Sequence, residues 1–283
     1  MMIHIDTLIE TANRLEPLPS SLTRLATLVA DDDSDIREIV DVVSFDQALT
    51  LRLLKVANSA FSASIMEITN VRAAVLRLGK GMVLSIAMGT AVKGSLSRAL
   101  PQYGLSQGDL WLHSVTAALA AETMGKFCKA TISPAAFTAA LLHDIGKLVV
   151  AGFLTPDIQS YLDRAMREGC LTRMQAEREL LEVHHGELGG LIAQNWELPE
   201  SIVKGISYHH TPEEDYNEET KPTCYSVHLA NWIAKYIDLE EPPEDFWPAE
   251  VHVSREFLGM TEESLKSVCE LVAQKRKDMP ERY

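Results

Sequence analysis

The chain has 283 residues, is 46% hydrophobic and carries a formal net charge of −14. That is enough apolar material for a sizeable core, in one large domain or two lobes. The acidic balance argues against broad binding to nucleic acid or to an anionic membrane, while leaving room for a small basic pocket.

Apolar residues recur at helical spacing along the chain and nothing reads as a run of strands, so the expected fold class is all-α. Leu22, Leu25, Ala26 and Val29 make one face, Ile36, Ile39, Val40 and Val43 a second, and Val71, Ala74, Val75 and Leu78 a third. Between the last two, Asp46 to Ser59 reads as a helix closed by a polar turn at Asn58-Ser59-Ala60-Phe61, with Asn58 as a candidate C-terminal cap. Gly79-Lys80-Gly81 breaks the array before another helix. Residues 1–100 are read as an N-terminal lobe of short helices, and 101–283 as a second helical lobe with a helical tail. The N-terminus lacks a charged segment followed by an apolar one, and the most apolar run, Met82 to Val92, is too short to span a bilayer. Cys128, Cys170, Cys224 and Cys269 share no close spacing, which fits neither a zinc knuckle nor a disulfide framework and suits a reducing compartment. A cytoplasmic protein is expected.

In the second lobe a helix from about Asp109 to Phe127 comes first. Ser133 then suits a cap, and Pro134 a first helical position, for an alanine-rich helix that ends in Leu141-Leu142-His143-Asp144-Ile145-Gly146-Lys147. Phe137, Ala140, Leu141, Asp144, Ile145 and Leu148 share one apolar face, so Asp144 is expected in the core with His143 at its edge. Thr155-Pro156 opens another helix, Thr172 to Gln175 is a capping box, and Pro199 suits a first turn. Glu213 to Glu219, with five acidic residues, reads as a solvated loop, and Glu241 to Glu244 as a second loop. A helix through Val227 and Ala234 lies between them, and the tail is helical from about Thr261.

A buried carboxylate costs several kcal/mol unless a cation or a set of donors meets it. Candidates to meet Asp144 come from separate helices: His113 on a stripe of small residues, His143 itself, His185 in line with Leu181 and Leu188, His209 in line with Ile202 and Ile206, His210 beside it, and Asn231 between Val227 and Ala234. Imidazoles and a bridging carboxylate suit one or two divalent ions such as Fe, Mn, Zn or Ni. Each residue also has a plainer role, because a single inward His is more often a hydrogen-bonded core residue than a ligand. His184 reads as a surface neighbour of His185, and His4, His228 and His252 have no evident partner. Lys147 could contact a phosphate or simply be solvated near a helix end. Asp109 could orient His113 or act as an acid at a helix N-terminus.

The order His, His-Asp, His, His-His resembles the HD superfamily of metal-dependent phosphohydrolases, with its pattern H…HD…H…HH…D on an all-helical fold. Two further stretches resemble the HDOD domain, the HD-related output domain. One is Asp46-Gln47-Ala48-Leu49 through Ala57-Asn58-Ser59-Ala60-Phe61 and on to Leu78-Gly79, and the other is His185-Gly186-Glu187-Leu188-Gly189-Gly190 through Trp196-Glu197-Leu198-Pro199 to His209-His210. The resemblance covers roughly Leu15 to Tyr236. It implies metal-binding positions at His113, His143, Asp144, His185, His209 and His210. The last position, an Asp in catalytic members, falls on Asn231, whose amide brings no charge and is no general base. HDOD domains are regulatory modules that have lost some or all of these ligands, whereas most are kept here. The resemblance therefore implies a bacterial signal-transduction module that acts by binding a protein partner, presented by the N-terminal lobe, or a nucleotide-like small molecule. The alternative is an active metal-dependent phosphohydrolase acting on a nucleotide or cyclic dinucleotide. Against it stand Asn231 and the sequence Thr211-Pro212-Glu213-Glu214 where cyclic-di-GMP-hydrolysing relatives have Gly-Tyr-Pro.

Overall fold

Among the described residues every extended regular element is a helix, and the only β-type pairing is one isolated bridge between Leu100 and Leu105. The structure is a computed structural model and describes residues 5–15, 17–31, 33–58, 68–239, 242–243 and 245–278. His4, the turn residues Ser59-Ala60-Phe61, and Glu241 and Glu244 lie outside those residues.

The first part of the chain forms α1 (Ile5–Asn13), α2 (Ser20–Ala30), α3 (Ile36–Ser44), α4 (Gln47–Ala57), α5 (Val71–Leu78) and α6 (Lys80–Leu96). Short polar side chains start three of them: Asp35, Asp46 and Asn70 accept from the backbone N–H groups of Arg37, Leu49 and Ala73. Asn58 ends α4, its amide donating to the carbonyls of Leu54 and Ile68 while its oxygen accepts from Ile68 N–H. Gly79, at φ +83°, ends α5 in a conformation other residues rarely adopt, and α6 leaves at a bend of 106°. The three apolar faces expected here all point inward, Leu25, Ile39 and Val75 being fully buried.

After a short 3-10 turn at Pro101–Tyr103 come α7 (Asp109–Met124), α8 (Ala135–Leu142), α9 (Lys147–Phe153), α10 (Pro156–Glu168), α11 (Arg173–Leu181), α12 (His185–Asn195) and α13 (Glu200–Ser207). They are followed by α14 (Lys221–Asp238), α15 (Ala249–Phe257) and α16 (Glu262–Lys277). Helix α8 sits at the centre, packed against α6, α7, α13 and α14, and each of its residues is buried. A helix apolar on every side has no single inward face, so the one-sided pattern expected across Phe137 to Leu148 is not what forms.

The helix also stops at Leu142. His143 Nδ1 donates to the carbonyl of Ala140 at 2.7 Å, and the backbone bonds that follow, Ile145 to Leu142 and Lys147 to Asp144, have three-residue spacing. His143-Asp144-Ile145-Gly146 is thus a run of tight turns before α9. The run Ala135–Phe153, α8 and α9 together, has the length and apolarity to cross a membrane, but 78% of its most apolar window is buried inside the fold.

Pro134 and Pro199 each stand one residue earlier than expected, at the caps of α8 and α13, and Ser133 Oγ accepts from Ala135 N–H. Thr172 and Gln175 make both bonds of the capping box. The acidic loop is not solvated throughout: Asp215 is buried and accepts from Thr220 Oγ1 at 2.6 Å and Cys224 Sγ at 3.3 Å, which ties the loop to α14.

A candidate metal centre at His143-Asp144

The turn after α8 places His143 and Asp144, both buried, where α7, α12, α13 and α14 converge. Close helix approach makes this convergence possible. A Cβ on Gly146 would lie 1.9 Å from the carbonyl oxygen of His185, and one on Gly190 would lie 1.9 Å from Ser207 Oγ, so α12 can seat only against glycine at these positions. His185 begins α12, and His209-His210 follows the end of α13.

All six sequence-selected ligand residues and Asn231 are brought together. Asp144 Oδ2 lies 3.3 Å from His143 Nε2 and 3.8 Å from His113 Nε2, while Oδ1 lies 3.4 Å from His185 Nε2 and 3.8 Å from His209 Nε2. His210 Nε2 is 2.9 Å from His185 Nε2, and Asn231 Oδ1 is 3.2 Å from His113 Nε2. Two groups with metal-ligand spacing result, His113–His143–Asp144 and His185–His209–His210, with Asp144 presenting one oxygen to each.

The second nitrogens show which way the lone pairs face. His143 Nδ1 donates to the carbonyl of Ala140 and His209 Nδ1 to that of Ile206, each at 2.7 Å. His185 Nδ1 donates to Glu177 Oε2 at 2.6 Å and His113 Nδ1 to Asp238 Oδ2 at 2.7 Å. His143, His185 and His209 therefore carry their proton on Nδ1 and aim a bare Nε2 inward, the arrangement of metal-bound histidine, while both nitrogens of His113 face oxygens, Asp238 Oδ2 and Asn231 Oδ1. Nε2 of His143 and of His209 are buried without a hydrogen-bond partner among the described residues, and the paired Nε2 atoms of His185 and His210 need a cation or a shared proton between them. The donor set thus fits a divalent ion.

Burial pushes the His143 imidazole below its ordinary range, and burial together with neighbouring imidazoles pushes His209 and His210 well below it. All three are neutral, as ligation requires. Burial opposes ionisation of Asp144, but the Lys147 ammonium, 2.6 Å from Oδ2, holds its carboxyl well below the usual range. Glu177 behaves likewise: burial is outweighed by its bonds to His185, and its carboxyl is held at about 2. Tyr103 OH donates to Glu177 at 2.8 Å and Arg173 at 3.2 Å, completing its shell.

Several readings of single residues change. Lys147 is not free but only partly exposed: its Nζ lies 2.6 Å from Asp144 Oδ2, on the side of the His113 group. His184 is buried rather than at the surface, because its Nδ1 caps α12 by accepting from Gly186 N–H. His228 is buried against Ser254 Oγ at 2.8 Å. Asp109 accepts from Ser106 N–H, and it is Asp238 that holds His113. Glu177 and Asp238 escape a reading of the sequence by motif. Asp238 does carry a signal, since it lies seven residues after Asn231 and so on the same face of α14.

The HDOD domain model matches residues 15–212. The chain belongs to the HDOD family. The structure of an HDOD domain protein of unknown function from Geobacter sulfurreducens aligns with a TM-score of 0.71 at 24% identity, covering 99% of each chain. A candidate phosphohydrolase from Shewanella amazonensis aligns with a TM-score of 0.67 at 25% identity, covering 96% of this chain and 98% of that one. A candidate signal-transduction protein from Marinobacter aquaeolei aligns with a TM-score of 0.69 at 21% identity, covering 98% of this chain and 60% of that one. In sequence, an uncharacterized protein of Treponema pallidum is 28% identical over 243 residues, 80% of this chain and 43% of that protein. This HDOD chain therefore spans less than half the length of that relative. Asn231, Asp238 and the helices α14 to α16 lie beyond the segment matched by the family model.

Proposed function

We propose that this HDOD chain is a bacterial signal-transduction module that acts by binding, built around an HD-type divalent metal centre with little phosphodiester turnover of its own. The observation that carries this reading is the pairing of a two-sided Asp144 with an amide, Asn231, at the fourth corner of the His113 group. His113, His143, Asp144 and Asn231 would hold one ion, and His185, His209, His210 and the other oxygen of Asp144 a second, of the Fe, Mn, Zn or Ni class. A bound divalent ion activates water and offsets phosphate charge. Asn231 cannot take a proton from that water, and an amide lowers the negative charge that draws the ion in. Lys147 and Lys235 put two ammonium groups near Asp144, which suits an anionic, nucleotide-like ligand. Phe45 just after α3, Leu51 on α4 and Leu76 on α5 are exposed, which supports a protein partner meeting this part of the chain.

The ligand set and Lys147 also favour an active phosphohydrolase, the description given to the Shewanella relative. A paired measurement separates the two: metal content and hydrolysis of a generic phosphodiester, for the parent and for Asn231→Asp. The binding reading expects negligible turnover by the parent and higher metal occupancy in Asn231→Asp. Brisk metal-dependent turnover by the parent, abolished in Asp144→Ala, would establish the enzyme instead.

A further inference from the structure

The two groups of ligand residues are supported in the same way. Each contains one imidazole backed by a backbone carbonyl, His143 on Ala140 and His209 on Ile206. Each also contains one backed by a carboxylate, His185 on Glu177 and His113 on Asp238. Glu177 is fully buried and anchored by Tyr103 and Arg173. Asp238 stands two turns beyond Asn231 on α14, with its Oδ2 on His113 and its Oδ1 held by Arg276 of α16 at 2.5 Å. The amide of Asn231 meets Nε2 of that same imidazole, so one ring is flanked by the residue that lacks a charge and by the residue that has one.

We infer that Asp238 is the positioning residue of the His113 group, returning through the His113 ring the negative charge that Asn231 does not bring, and that Arg276 fixes Asp238 from the C-terminal helix. The Asp238 side chain is 32% exposed, so its direct Coulombic pull on an ion is screened by solvent. The hydrogen bond is not screened in this way: a carboxylate accepting Nδ1–H holds the ring in one tautomer and makes Nε2 a stronger donor. Arg276, 21% exposed, keeps the carboxylate from turning away. The inference rests on the metal-centre reading above, and it gives α16, which packs on α7, a mechanical link to the site.

The test is a Mn²⁺ titration of the full chain, with ¹⁵N spectra of the histidine rings of the metal-free protein. Asp238→Asn should weaken Mn²⁺ binding roughly 10- to 100-fold, and Asp238→Glu should recover part of the loss. In an Asn231→Asp background the same Asp238→Asn change should cost several-fold less, because the missing charge is then supplied directly. The metal-free spectrum of Asp238→Asn should show a changed protonation pattern on the His113 ring, with Nδ1–H less populated than in the parent. Unchanged affinity with an unchanged tautomer would overturn the inference. An equal loss in both Asn231 backgrounds would also overturn it, by reducing Asp238 to a structural contact. A parent that binds no Mn²⁺ defeats the metal-centre reading and the charge-return role with it, while the ring spectrum still decides whether Asp238 fixes His113.

Discussion

At the scale of single residues, burial sets the protonation state. His228, outside the ligand set, is almost fully buried on α14 beside Ser254, and burial, aided by Lys235, pushes its pKa down to about 4 from an ordinary 6.5. A histidine whose pKa is lowered in the fold stays neutral while the unfolded chain takes up a proton, so stability falls as pH drops from about 6.5 to about 4 and the penalty is complete below that. The full effect is on the order of 3 kcal/mol. Urea unfolding of metal-free protein between pH 7 and pH 4.5 should therefore show a smaller acid loss for His228→Gln than for the parent. Equal losses would mean that the ring is not held neutral. The ligand residues were legible in the sequence because several helices each carried one polar residue on an apolar stripe. His228 was not, since its partner Ser254 comes from another helix and no spacing links the two. Asp238 shares a face of α14 with Asn231, but its role shows only once His113 is placed beside it.

At the scale of elements, the fold was legible wherever a helix had a wet face and a dry one. The faces of α2, α3 and α5, the helix starts at Asp46, Thr155 and Thr261 and the capping box at Thr172 form as the sequence pattern requires. The pattern failed at α8, where burial on all sides hides the helical period and His143 competes for a helix carbonyl. What the motif Asp144-Ile145-Gly146 accomplishes is also visible only in three dimensions. Gly146 has an ordinary helical backbone, so its value is space: a methyl group there would strike the His185 carbonyl and the Gly189 nitrogen. Gly146→Ala should cost about 3 kcal/mol or more through overpacking, lowering the melting temperature by roughly 6 °C or more for a chain of this size, and should loosen the seat of His185. Gly152→Ala on the same helix meets nothing within 4 Å and should be neutral or slightly stabilising, by about 0.5–1 kcal/mol. Equal melting temperatures for the two variants would show that α9 and α12 are not in the close contact described.

At the scale of the whole molecule, the central helix depends on both parts of the chain. Helix α6 covers α8 on the side that α7, α13 and α14 leave open, with Ser85 Oγ 3.4 Å from Thr138 Oγ1 and Gly89 packed close to Trp111, where a Cβ would lie 3.2 Å from the indole ring. Helix α1 lies against α9 and α12 rather than closing only on its own neighbours in sequence, and Asn195 Nδ2 donates to the Asn13 carbonyl at 3.2 Å. Thr23 Oγ1 reaches the carbonyl of Trp196 at 3.4 Å. A fragment of residues 101–283 would expose one side of α8, including the buried hydroxyl of Thr138, and would lose the cover over α12, whose first residue is His185. Uncovering a largely apolar helix removes the main driving force for its burial, and a polar group left behind without a partner adds to the cost. The full chain is therefore expected to unfold in urea as one transition by both tryptophan fluorescence and far-ultraviolet circular dichroism. The fragment should keep helical circular dichroism while losing its near-ultraviolet signal and a sharp transition, as loosely packed helical states do. A fragment with a native near-ultraviolet spectrum and a cooperative transition would show that the metal-centre half stands alone. The first hundred residues would then be an accessory to the fold rather than part of the core that holds His143 and Asp144 in place.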